Sequence, residues 1–131
     1  MKVALGIGCD RGVPLATLQQ AVAHALSQCG ATWADVAALA SIDLKADETA
    51  LLALAQLQAC PIHFYRADEL AAVSVPNPSE TVRRYTGTPS VSEAAALLAA
   101  GTDASALLIE KLRLKGIDGR HATVSIARIT A

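Results

Sequence analysis

Short continuous apolar runs along the chain alternate with stretches in which apolar residues recur every three or four positions, the pattern of buried strands joined by amphipathic helices. Val3, Ala4, Leu5 and Ile7 form the first run and predict a buried strand, which opens through Gly8 and Cys9-Asp10-Arg11-Gly12 onto a helix. Pro14 suits the first turn of that helix, Leu15, Leu18, Val22, Leu26 and Cys29 mark its buried stripe, and Gly30 ends it. Val36 to Ile42 predicts a second buried strand, and Asp47 is placed to cap a helix from about Glu48 to Gln58. A third strand follows at Pro61 to Tyr65 and a short helix at Ala67 to Ala72.

Pro76 and Pro78 keep Ser74 to Ser79 a loop, because neither a helix nor a central strand accepts two prolines so close together. Ser79 to Arg84 predicts a short helix and Thr86 to Ser90 a second glycine loop. Ser90 is placed to cap a helix on which Val91, Ala94, Ala95 and Leu98 share a face before Gly101. Ala106 to Lys115 predicts a strand whose Lys111, Arg113 and Lys115 alternate on one side, as on a solvated face or a guarded sheet edge. Gly116-Ile117-Asp118-Gly119 signals a hairpin, and His121 to Ile129 supplies the last strand. Strands alternating with helices at these lengths predict an α/β fold in three layers, α/β/α. The expected sheet is mainly parallel, of about five strands, with a C-terminal hairpin, in a single domain over residues 1–131.

Composition narrows the partner. Hydrophobic residues make up 53% of the 131 and charged residues 18%, which excludes a disordered chain. The aromatics are Trp33, Phe64, Tyr65 and Tyr85 and the net charge is −1, so neither the stacking surface nor the electrostatic footprint of a nucleic-acid binder is present. No run approaches the ~20 apolar residues of a membrane helix, and a strand with glycines stands where a signal peptide would have its apolar core. A cytoplasmic protein without membrane contact is expected. Cys9, Cys29 and Cys60 are odd in number and widely spaced, which fits a reducing compartment and offers no metal site; no cofactor is expected.

Ligands of open parallel sheets sit beyond the carboxyl ends of the strands. The turns at Gly8 to Gly12, Asp43 to Glu48 and Tyr65 to Asp68 belong to that edge, and Thr86 to Ser90 joins them if the strand from Ala106 runs the same way. Helix amino ends after Gly12 and Ser90 would then face one cleft, whose free amides and dipoles favour a polyanion, with Arg11 and Lys45 as side-chain partners. Individual residues admit two readings. Cys9 is a nucleophile at a helix end or a thiol packing a turn. Asp43, Asp47 and Glu48 are a carboxylate group for acid–base chemistry or cap and first-turn acids. Glu93 is a general base or, three places after Ser90, the glutamate of a capping box. Lys45 is an ion-pair partner or a ligand contact. His24, His63 and His121 lack metal spacing. Gly6-x-Gly8 without a third glycine is a weak nucleotide signal.

Four motifs in order, Gly6-Ile7-Gly8-Cys9, Asp43-Leu44-Lys45-Ala46-Asp47-Glu48, Pro76-Asn77-Pro78-Ser79 and Gly87-Thr88-Pro89-Ser90-Val91-Ser92-Glu93-Ala94-Ala95, resemble the cobalamin biosynthesis family of CobE and the C-terminal domain of CbiG. The likeness extends to Lys111 and the closing Ala122 to Arg128, and so covers essentially the whole chain. It implies a role in making the corrin ring, with a polycarboxylate tetrapyrrole intermediate as the small-molecule partner and other cobalamin-pathway enzymes as neighbours. The expected contacts are Gly8, Cys9, Arg11, Gly12, Lys45, Gly87, Thr88, Ser90 and Lys111. For CbiG-type proteins the resemblance further implies hydrolysis of a lactone on cobalt-precorrin-5A with loss of acetaldehyde, for which Glu48 or Glu93 would be the general base. A nucleotide-binding α/β domain is the remaining alternative.

Overall fold

A computed structural model describes residues 1–130. Its strands are β1 (Val3–Cys9), β2 (Val36–Ile42), β3 (Ile62–Tyr65), β4 (Leu107–Lys115) and β5 (His121–Arg128). Its α-helices are α1 (Leu15–Gln28), α2 (Thr49–Leu57), α3 (Ala67–Ala71), α4 (Glu80–Thr86) and α5 (Val91–Ala100). The strands form one sheet in the order β3-β2-β1-β5-β4.

The pairings correct the expectation of a mainly parallel sheet. β1 pairs in parallel with β2 and β2 with β3, but β5 lies antiparallel to both β1 and β4, so the sheet is mixed. The cause is the hairpin, which folds the last strand back between β1 and β4 instead of adding it at the edge. Two reversals restore direction, so β4 runs in the same sense as β1. β4 is one of the two edge strands, which accounts for its alternating Lys111, Arg113 and Lys115.

Alternation along β1 sorts the two faces. Val3, Leu5 and Ile7 pack with Leu18 and Val22 of α1 and Leu51 and Leu54 of α2. Ala4 faces α5, beside Ala96, Leu97 and Ala100. Farther along, Ala40 and Ile42 meet Leu70 of α3 and Val91, Ala94 and Ala95 of α5. The layers are therefore α1 and α2, the sheet, and the helices from α3 onward. The α5 face is built of small residues, and closeness is their function. A Cβ placed on Gly6 would lie 1.9 Å from the Ser92 carbonyl oxygen and 2.6 Å from the Ala96 nitrogen. Gly6 thus admits the α5 backbone rather than a ligand.

The helix starts differ from expectation in two places. α2 begins at Thr49 with Glu48 in the cap position and no side-chain cap, and Asp47 bonds Arg11 instead. At α5 the Ser90 hydroxyl makes no capping bond, and Glu93 turns away from it to Asn77. In both cases a donor brought by a distant loop outcompetes the local cap. Among the described residues no helix is long and apolar enough to cross a membrane.

Candidate functional site

The carboxyl ends of β1 and β2, helix α4, the start of α5 and the hairpin strands β4 and β5 enclose a cleft of about 690 Å³. Gly8, Cys9 and Asp10 line it from β1 and the turn beyond, and Lys45 from the Asp43–Lys45 turn after β2. Pro78, Ser79, Val82, Tyr85 and Thr86 come from α4 and the loop before it, Val91 and Ser92 from the first turn of α5, and Lys111, Arg113, His121 and Thr123 from the hairpin strands. The loop ending in Ser90 therefore opens at the same edge as Cys9, as the shared direction of β4 and β1 requires.

Of the residues singled out in the sequence, Gly8, Cys9, Lys45 and Lys111 line this cleft. Arg11, Gly12 and Glu48 form a separate, self-satisfied cluster. The Glu48 carboxylate, 4% exposed, accepts the Gly12 N–H at 3.0 Å and Arg11 Nη1 at 3.1 Å. Arg11 also donates to Asp47 at 2.7 Å and to the Leu44 carbonyl at 2.6 Å. The anion expected in the first glycine turn is thus one of the protein's own carboxylates. The Arg11 contact, first, holds the Asp47 carboxyl below the usual carboxylate range.

Gly87 is the left-handed C-cap of α4, at φ 82°, and its amide donates to Arg83. Thr88 and Ser90 are fully buried, with hydroxyl oxygens that find no partner among the described residues. Glu93 is fully buried too. It accepts the Asn77 backbone N–H at 3.2 Å and the Asn77 side-chain amide at 2.7 Å, and so locks the Pro76-Asn77-Pro78 loop over α5. Neither Glu48 nor Glu93 lines the cleft.

Lys111 donates to the Asn77 carbonyl at 3.2 Å, which fixes its ammonium at the cleft wall. Lys45 and Arg113 form no ion pair among the described residues. Burial pushes the Cys9 thiol up to about 11, with Lys45 opposing, so Cys9 stands in the cleft as a neutral thiol. Asp10 accepts the His121 backbone N–H at 2.8 Å and lies 3.2 Å from the ring Nδ1. Burial works against its charge, but the His121 contacts win and the carboxyl falls below its ordinary range. Arg113, Asp10 and His121 were not singled out from the sequence as members of the site. The alternation of Lys111 with Arg113 was the available signal for the first, and the hairpin, which returns residue 121 to residue 10, for the other two.

These features define a class: an α/β protein whose sheet edge carries a cleft walled by Lys45, Lys111, Arg113 and His121, with Asp10 as the one acidic lining residue among the described residues. The family described as "Cobalamin synthesis G C-terminus" matches residues 3–127, and the chain belongs to it. Over 127 residues it is 39% identical to Protein CobE of Sinorhizobium sp, covering 95% of this chain and 79% of that protein. It is 35% identical over 127 residues to a cobalt-precorrin-5A hydrolase of Priestia megaterium; the match takes in 97% of this chain but 32% of the hydrolase. The crystal structure of CobE, a protein from the cobalamin (vitamin B12) biosynthetic pathway, superposes with a TM-score of 0.79 at 32% identity, covering 99% of this chain and 93% of that one.

Proposed function

We propose that the cleft binds a polycarboxylate tetrapyrrole intermediate of cobalamin biosynthesis and passes it to other enzymes of that pathway. The observation that carries this reading is the charge of the lining: Lys45, Lys111 and Arg113 against Asp10 among the described residues, in a molecule whose net charge is −1. The cations are concentrated rather than inherited from the whole. Ammonium and guanidinium groups pair with peripheral acetates and propionates. Ile42, Val82, Val91 and the Tyr85 ring offer apolar surface to the macrocycle.

Titration of the protein with hydrogenobyrinic acid, followed by the absorbance spectrum, tests the reading. A saturable spectral change that weakens with added salt is expected, and a flat titration overturns it. A second reading, hydrolysis of a precorrin-5A-type lactone, draws on the similarity to the cobalt-precorrin-5A hydrolase. Release of acetaldehyde from the lactone would establish it; binding without turnover would exclude it.

A further inference from the structure

We propose that His121 is a ligand contact that works only in its protonated form, so that a carboxylate entering the cleft brings a proton with it. The inference rests on the reading of the cleft as a polycarboxylate site and adds to it the state of one wall residue.

Geometry fixes the argument. His121 opens β5 at the hairpin and lines the cleft, its side chain 31% exposed. Its backbone N–H donates to Asp10 Oδ2 at 2.8 Å, its carbonyl accepts the Asp10 N–H at 3.0 Å, and Nδ1 lies 3.2 Å from the same carboxylate oxygen. Asp10 therefore fixes the His121 backbone through two bonds and the ring through one, and selects the tautomer with the proton on Nδ1. In the neutral imidazole that choice makes Nε2, which has no hydrogen-bond partner among the described residues, an acceptor on a residue that lines the cleft. A carboxylate is acceptor-only, and the two groups repel. Protonation turns Nε2 into a donor without disturbing the Asp10 bond, and the same carboxylate is then bound by a charge-assisted hydrogen bond.

The surrounding charges decide when this happens. Asp10, at the end of β1, favours the imidazolium. Lys115, the register partner of His121 on β4, opposes it, as do Lys111 and Arg113 of that strand and Lys45 across the cleft. In the hairpin, Arg120 is paired with Asp118 at 3.1 Å, and the Cys9 thiol carries no charge near neutrality. The first turn of α1 contains no acid. An incoming polyanion offsets those cations and adds its own attraction for the imidazolium.

Calorimetry of the full chain with hydrogenobyrinic acid near neutral to mildly alkaline pH, in phosphate and in Tris buffer, reads the proton directly, because the two buffers release protons with different heats. The ligand carboxylates titrate near pH 4 and stay silent. The native protein should take up roughly 0.5 to 1 proton, and its affinity should fall several-fold for each pH unit above neutrality. H121Q should bind with neither uptake nor pH slope, whereas K111A should lose affinity and keep both. Equal heats in the two buffers with binding intact would overturn this inference alone. Absence of binding at any pH would overturn the cleft reading as well. The two-buffer comparison needs no variant and stands even where H121Q does not fold.

Discussion

Glu48 shows how one residue changes meaning once its neighbours are known. In the chain it stands in an acidic loop before a helix, where a first-turn acid and a general base look alike. In the fold it is 4% exposed and satisfies both the Gly12 amide and the Arg11 guanidinium. Its loss would remove the acceptor of the Gly12 N–H and one of the contacts of an arginine that keeps Asp47 and the Leu44 carbonyl. Glu48→Ala should therefore cost about 1 to 2 kcal/mol in urea unfolding, while Asp47→Ala, on the solvent side of the same arginine, should leave the midpoint nearly unchanged. Lys45 belongs to the opposite case, a cation in the cleft with no ion-pair partner among the described residues. Lys45→Ala should retain full stability and weaken hydrogenobyrinic acid binding by about 1 to 3 kcal/mol, read from the spectral titration; unchanged affinity would remove Lys45 from the proposed contacts.

Elements were more legible than their ends. The run from Val36 to Ile42 matches β2 residue for residue, because a short apolar segment between polar neighbours has few other places to go. The spacing of Leu15, Leu18, Val22 and Leu26 likewise describes α1. The order of the strands was not legible: local pattern identifies β5 as a strand but does not say that it enters between β1 and β4. Nor was the first glycine turn's occupant, since Gly12 and Glu48 meet across 36 residues of sequence. Gly6 and Gly8 form one motif in the chain and do two jobs in the fold, which substitution can separate. Gly6→Ala drives a methyl into the α5 backbone at 1.9 Å and should cost roughly 3 kcal/mol or more. Gly8→Ala meets Val91 Cβ at an ordinary 3.8 Å and should be tolerated within about 1 kcal/mol. Comparison of their urea midpoints checks the difference, and equal losses would show that α5 does not pack as closely on β1 as this geometry requires.

At the scale of the whole molecule, the cleft exists because the two ends of the chain meet. β1 brings Cys9 and Asp10, and the hairpin over residues 107–128 brings Lys111, Arg113 and His121 alongside them. Site and fold are therefore linked, and the groups at this junction should shape stability against pH in opposite directions. Asp10 has a carboxyl held below the ordinary value of 3.8, so the unfolded chain binds a proton more readily there. Its contribution is complete above that value and is lost as pH falls through the folded one. Cys9 has the opposite sign. Burial raises its thiol from 9.0 to about 11, so its contribution is complete below 9.0 and is lost as pH rises through about 11. Urea unfolding across this range should give a plateau between roughly pH 4 and pH 9, with an acid arm carried by the carboxylates and an alkaline arm to which the Cys9 thiol contributes on the order of 2 kcal/mol, beside the Cys60 thiol and the Tyr65 phenol, which desolvation also raises. Cys9→Ala removes one of these titrating groups at little cost in volume and should make the alkaline arm shallower while leaving the acid arm in place. If the variant lost stability above pH 9 as steeply as the native protein, the alkaline arm would belong to other groups, and Cys9 would not be desolvated at the end of β1 as its place between the strand and the cleft demands.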